Sequence, residues 1–275
     1  MIIHTNDQLK NFYLKCQKDK IVGVDTEFHR VNTYYPKLCL IQLSNKNQEV
    51  IIDPLRTQMD KSLLRKIIFS KDILKVFHAA HQDLEILFNI YNKIPPNVVD
   101  TQICMTLIGY PNSTGYANAV NDLLNIRIDK THQFIDWRIR PLSNKKIQYA
   151  INDVKYLIPL YSKIFGNLKK KEKVRTSHLK VLDKNLYLRD PKKAWKKLKL
   201  REVSNNQLKL LKKICLERET FAKEKNIPIK RLLTDKSIKL ISSTSISKND
   251  SMKIIDNIKF NEFKKVLQKI ISEKF

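Results

Sequence analysis

Five side chains in three separated clusters carry the reactive chemistry of this sequence. Asp25 and Glu27 stand two apart in a Val-Gly-Val-Asp-Thr-Glu-Phe run, Asp83 closes a His-Ala-Ala-His-Gln-Asp run, and Tyr149 precedes Asp153 by four residues. Each acid lies in or beside an apolar stretch, where a buried carboxylate without a counter-charge is strongly unfavourable. Divalent cations are the natural counter-charge. Two such ions, held about 3.5 to 4 Å apart by carboxylates from several elements, can hydrolyse a phosphodiester. The three clusters together have the make-up of such a two-metal site.

Taken singly, each cluster has a plainer explanation. A second Asp-x-Glu occurs at Asp83 and Glu85, and an acid at the start of a helix, as Asp83 is, is favoured by the helix dipole alone. Tyr149 and Asp153 fit the polar edge of an amphipathic helix. The weight rests on their conjunction. His78 and His81, with no second Cys or His pair, make a poor zinc site. The chain has four glycines and no G-x-x-x-x-G-K-[ST] sequence, which argues against a nucleotide triphosphatase.

The elements that must position the acids follow from residue periodicity. Apolar, β-branched runs at 21–26, 38–43 and 49–52 read as strands, as does 74–78. A five-residue polar turn joins the second and third, so they pair as an antiparallel hairpin. Strand 74–78 falls between helical patterns at 59–69 and 82–92, where alternation implies parallel pairing. The sheet is therefore mixed. On a strand Asp25 and Glu27 point to the same face. Residues 101–109, 116–125 and 143–165 read as helices, the last capped by Ser143 and carrying Tyr149 and Asp153 on one face.

With 42% hydrophobic residues in 275, the chain can bury a large core without staples, and its four scattered cysteines suggest neither disulfides nor a zinc site. No apolar run is long enough to span a membrane and no leader pattern opens the chain, so a cytoplasmic setting is expected. The net charge of +26 points to a polyanion partner. Residues 1–165 contribute +7 of it and residues 166–275 contribute +19, a concentration that uniform codon bias does not produce. The expected organisation is an α/β domain over 1–165, a basic connector over 166–202 and a small helical bundle over 203–275.

In order and spacing the acids resemble the three exonuclease motifs of the DEDD superfamily, in its tyrosine-bearing branch. Further runs extend the likeness: Tyr34-Tyr35-Pro36, Leu40-Ile41-Gln42-Leu43, Ile52-Asp53-Pro54-Leu55, Asp100-Thr101-Gln102, Asp136-Trp137 and Arg140-Pro141-Leu142 are similar to bacterial ribonuclease D. Residues 203–275 bear a fainter similarity to the helical HRDC domain, one of the two that longer ribonuclease D chains carry. The resemblance implies a ribonuclease-H-like mixed sheet of five or six strands flanked by helices. It implies a 3′ to 5′ exoribonuclease that releases 5′-mononucleotides from precursor tRNA and other small structured RNAs, using two divalent ions, Mg²⁺ or Mn²⁺, with no protein partner implied. Asp25 would contact both ions, Glu27 and Asp153 the one that activates water, and Asp83 the second; Tyr149 would align the attacking water. Gln148 stands where the related branch has histidine. His29, Arg30, Lys130 and Arg140 are candidates for contact with the RNA backbone. A DNA-directed exonuclease of the same superfamily and a catalytically silent RNA-binding module are the alternatives.

Overall fold

The structure, a computed structural model, describes residues 1–56, 61–129, 135–168, 178, 180–200 and 202–274. The chain divides into two compact units, one formed by residues 1–29 and 37–187, the other by residues 30–36 and 188–275.

The first unit is built on a six-stranded mixed sheet in the order β1-β4-β3-β2-β5-β6. Its strands are β1 (Ile2–Ile3), β2 (Ile21–His29), β3 (Lys37–Ser44), β4 (Glu49–Ile52), β5 (Leu74–Phe77) and β6 (Val98–Asp100). The expected hairpin is present: β3 and β4 pair antiparallel, while β2 pairs antiparallel with β3 and parallel with β5. Helices α1 (Asn6–Asp19), α2 (Lys61–Ile68), α3 (His81–Tyr91), α4 (Thr101–Thr106), α5 (Tyr116–Leu124), α6 (Asn144–Lys155) and α7 (Leu157–Asn167) surround it. One apolar cluster packs Leu9, Phe12 and Leu84 against Val22 and Val24, and another packs Leu157, Leu160 and Ile164 against Val76 and Val99.

Two expected elements differ. The run 21–26 is part of a longer strand that continues to His29, so Glu27 lies on β2 with Asp25. The single helix expected over 143–165 is two helices that meet at Tyr156, which has φ −105° and ψ 5°. Pro159 gives the reason, since its ring clashes with the carbonyl four residues back and it offers no N–H. At the junction the Tyr156 N–H donates to the Tyr116 hydroxyl, which itself donates to the Asn152 carbonyl.

The second unit is all helical apart from its connections. After a 3₁₀ stretch at Pro191–Lys197 come α8 (Asn205–Glu224), α9 (Ile229–Leu232), α10 (Asp235–Ser242), α11 (Lys248–Asp256) and α12 (Asn261–Ser272). Leu211, Ile214, Ile238, Ile255, Phe263 and Leu267 form its core, and Tyr34 is buried among them. The Tyr34 hydroxyl donates to Glu219 at 2.5 Å, its N–H to Asn226, and its carbonyl accepts from Arg189. Thus the segment joining β2 to β3 is built into the helical core. The stretch 166–202 divides between the units at Tyr187 and Leu188.

Candidate active site

β2 supplies the base of the site. Asp25 and Glu27 project from one face of this central strand, and Asp153 comes from the last full turn of α6. One carboxylate oxygen from each lies within 4.8 Å of the others.

Their convergence depends on how closely α6 and α7 approach the sheet. At Gly23, two residues before Asp25, an added Cβ would sit 2.4 Å from the Ser44 hydroxyl and 3.2 Å from Leu157 Cβ. The Ser44 hydroxyl in turn donates to the Val154 carbonyl at 2.8 Å. A bare backbone and a small hydroxyl therefore dock the junction of the two helices on β2 and β3, with Asp153 one residue before the docked carbonyl. Tyr149, one turn earlier on α6, donates its hydroxyl to the Asp153 carboxylate.

Asp83 is not among these converging oxygens, though its charge acts on Asp25, Glu27 and Asp153. It lies buried in the first turn of α3 and accepts a hydrogen bond from the Thr26 hydroxyl; Thr26 alternates with Asp25 and Glu27 and so points the opposite way. The turn before α3 is fixed by Asp100, whose carboxylate accepts from the N–H groups of Ala79, Ala80 and Gln102. Ala79 there adopts φ +58°, a left-handed conformation unusual for a residue with a side chain.

Electrostatically the site holds more negative charge than it neutralises. Burial, followed by the charges of Asp83, Asp153 and Glu27, raises the Asp25 carboxyl well above its ordinary range. Burial with Asp153 and Asp83 pushes Glu27 up to about 9. Asp83 rises to about 7 through burial, against the pull of the Thr26 hydroxyl, and Asp153 to about 7 through burial and Asp83, against the Tyr149 hydroxyl. Among the described residues no cationic side chain pairs with any of the four. Clustered oxygen donors without a protein counter-charge fit hard divalent cations.

The proposed RNA contacts fare differently. Arg140 is committed to the fold: Nε and Nη2 grip Asp53 at 2.6 and 2.9 Å, Nη1 donates to the Trp137 and Ile139 carbonyls, and Nη2 also donates to the Cys39 carbonyl. All five of its N–H donors are used, so none is left for a phosphate. The Cys39 carbonyl is available because the β2–β3 register skips that residue, pairing Glu27 with Leu40 and Phe28 with Leu38. His29 is buried at the end of β2 with Nδ1 3.9 Å from Asp136. Arg30 is exposed, in the segment that belongs to the second unit, and Lys130 lies outside the described residues.

A family model described as a 3′-5′ exonuclease matches residues 1–169, the span that holds all five of these side chains. The chain belongs to this 3′-5′ exonuclease family. Among curated members, a ribonuclease D of Gluconacetobacter diazotrophicus is 34% identical over 255 residues, 92% of this chain and 65% of the relative. A ribonuclease D of Sphingobium indicum is 35% identical over 246 residues, 88% of this chain and 63% of that one. The chain thus spans just under two thirds of the length of these relatives. The crystal structure of Escherichia coli RNase D, described as an exoribonuclease involved in structured RNA processing, superposes with TM-score 0.83 at 26% identity over 99% of this chain and 74% of its own. The exonuclease family's fold is the six-stranded mixed sheet with its flanking helices described above.

Sequence reasoning missed the long-range contacts that brace the strands and helices of the site. Thr26, Ser44, Asp100 and the Asp53–Arg140 pair act through contacts 57, 110, 21 and 87 residues distant in sequence. Gly23 alone left a local signal, as a glycine inside a strand, which often marks close backbone approach.

Proposed function

We propose that this exonuclease is a divalent-metal-dependent 3′ to 5′ exoribonuclease of the ribonuclease D kind, acting in the cytoplasm and releasing 5′-mononucleotides from the 3′ ends of precursor tRNA and other small structured RNAs. The observation that carries this reading is the convergence of Asp25, Glu27 and Asp153 with no cationic partner among the described residues, the charge of Asp83 acting on Asp25 and Glu27. In this reading those carboxylates hold two ions, Mg²⁺ or Mn²⁺. Such ions supply a water acidified toward neutrality and stabilisation of the departing oxygen.

The protein's own part is placement. Water oxygen bonds to phosphorus as the bond from phosphorus to the 3′ oxygen of the penultimate nucleotide breaks; the water's proton leaves to solvent and the 3′ oxygen regains one. Tyr149 is held protonated by burial and by the surrounding carboxylates. With its hydrogen given to Asp153, its oxygen accepts a hydrogen from the attacking water and fixes its line of approach. In this reading the chain belongs to the tyrosine-bearing branch of the DEDD superfamily. The second unit, resembling an HRDC domain, is assigned the RNA backbone, supported by the concentration of charge beyond residue 166.

The direct test follows the product lengths of a 5′-labelled single-stranded RNA and of the matching DNA, with Mg²⁺, Mn²⁺ or chelator. The full chain should shorten RNA stepwise only with metal, and Asp25→Ala should lower the rate by at least about 10³-fold. Near wild-type activity in Asp25→Ala would overturn the site assignment. Equal ladders on DNA would overturn the RNA preference.

A further inference from the structure

Gln42 lies on β3 directly opposite Asp25. Directly paired residues of antiparallel strands share a face, with Cβ atoms about 4.5–5.5 Å apart. The Gln42 side chain is completely buried, yet neither its amide nitrogen nor its carbonyl oxygen has a hydrogen-bond partner among the described residues. Leaving such a group unpaired is unfavourable, and its surroundings would readily accept an apolar residue. Ile51, its other cross-strand partner, and Leu40, two positions earlier on the same face, belong to one apolar cluster with Ala150 of α6. An apolar side chain of similar size would suit this place, so the amide needs a partner that the described side chains do not provide.

The possible partners on this face are few. Gly23 has no side chain, and the hydroxyl of Ser44, two residues beyond Gln42, donates to the Val154 carbonyl and receives nothing from Gln42. Asp25 is the adjacent group with spare capacity: an ionised carboxylate has about four acceptor sites, and the protein donor it receives is the Thr26 N–H.

We infer that Gln42 is a positioning residue of the metal centre, whose amide donates to the Asp25 carboxylate, directly or through one water, when the divalent ions are bound. The inference rests on the metal-centre reading given above. An outer partner of this kind orients a ligand oxygen, and losing one typically weakens metal binding by about 10- to 100-fold.

The test is Gln42→Met in the full chain, a swap of similar length and volume. The melting temperature is measured in chelator, Mn²⁺ affinity by titration, and kcat and KM on a single-stranded RNA, with wild type and Asp25→Ala alongside. We expect the chelated Gln42→Met to melt at or above the wild-type temperature, to bind Mn²⁺ about tenfold or more weakly, and to lose kcat with little change in KM. Wild-type Mn²⁺ affinity in Gln42→Met overturns the proposal. So does a fall of several degrees in the chelated melting temperature, which would show that the amide has a structural partner already. If wild type itself binds Mn²⁺ no better than Asp25→Ala, the metal-centre reading fails instead, and the two failures are told apart.

Discussion

At the scale of residues, four carboxyls with raised affinity for protons make the site's stability run opposite to the usual carboxylate trend. A group whose folded pKa lies above its unfolded value binds more protons folded than unfolded, so its contribution is fully present at low pH and is lost as pH rises. Here that window opens near the ordinary values of 3.8 and 4.5 and closes near 7 for Asp83 and Asp153 and near 9 for Glu27. In chelator, the melting temperature should therefore decline as pH rises through this range, beyond any decline shown by Asp25→Asn, and saturating Mg²⁺ should remove most of the difference. A flat profile in chelator would contradict the crowding of these acids. Tyr149→Phe separates placement from metal holding. It should leave Mn²⁺ affinity within a few-fold of wild type while lowering kcat by about 10²-fold, because the attacking water loses its guide; a matching loss of affinity would mean that the hydroxyl serves Asp153 rather than the water.

At the scale of elements, the site depends on how near a helix junction can come to a strand. Gly23→Ala would place a methyl 2.4 Å from the Ser44 hydroxyl and 3.2 Å from Leu157. Overpacking of this kind costs about 1–3 kcal/mol, and because the displaced segment carries Asp153, kcat should fall far more than stability does. Thermal unfolding and single-turnover cleavage, measured together, check this; a variant that is less stable yet fully active would show that the docking is not what aims Asp153. Local windows explain what the sequence made legible. Asp25 and Glu27 two apart in a β-branched run, and Tyr149 and Asp153 four apart on a helix, declare a shared face within a few residues. The hairpin β3–β4 was legible for the same reason, its turn being short. The break at Tyr156 had its signal in Pro159, but the apolar spacing runs through the junction and suggested continuity. The fold contacts of Arg140 were not legible, because sequence does not show whether an arginine faces solvent or a bulge carbonyl and a buried Asp53. Gln42 gave no sign of itself, since an amide inside a strand becomes informative only when its missing partners can be counted.

At the scale of the whole molecule, charge and connectivity decide what the second unit can be asked. Lys192, Lys196 and Lys197 lie on the exposed 3₁₀ stretch around Trp195, whose ring lies 4.8 Å from Lys212 Nζ. Replacing the three lysines by alanine should weaken RNA binding and reduce the slope of log affinity against log salt by about 2 if each meets one phosphate of a single strand. Cleavage of a saturating short RNA should be spared. An unchanged slope would move the RNA path elsewhere on the protein. Truncation is a poorer probe than these substitutions, because removing the helices strips the partners from Tyr34, which belongs to their core. The same arrangement sets a timetable for biosynthesis. Tyr34 emerges from the ribosome 155 residues before Arg189, which caps its carbonyl, and 185 before Glu219, which receives its hydroxyl. At the usual pace of translation that interval is on the order of ten seconds, during which two adjacent tyrosines stand without their packing partners, and a chaperone that recognises exposed aromatic segments would find its binding site between the two strands that flank them.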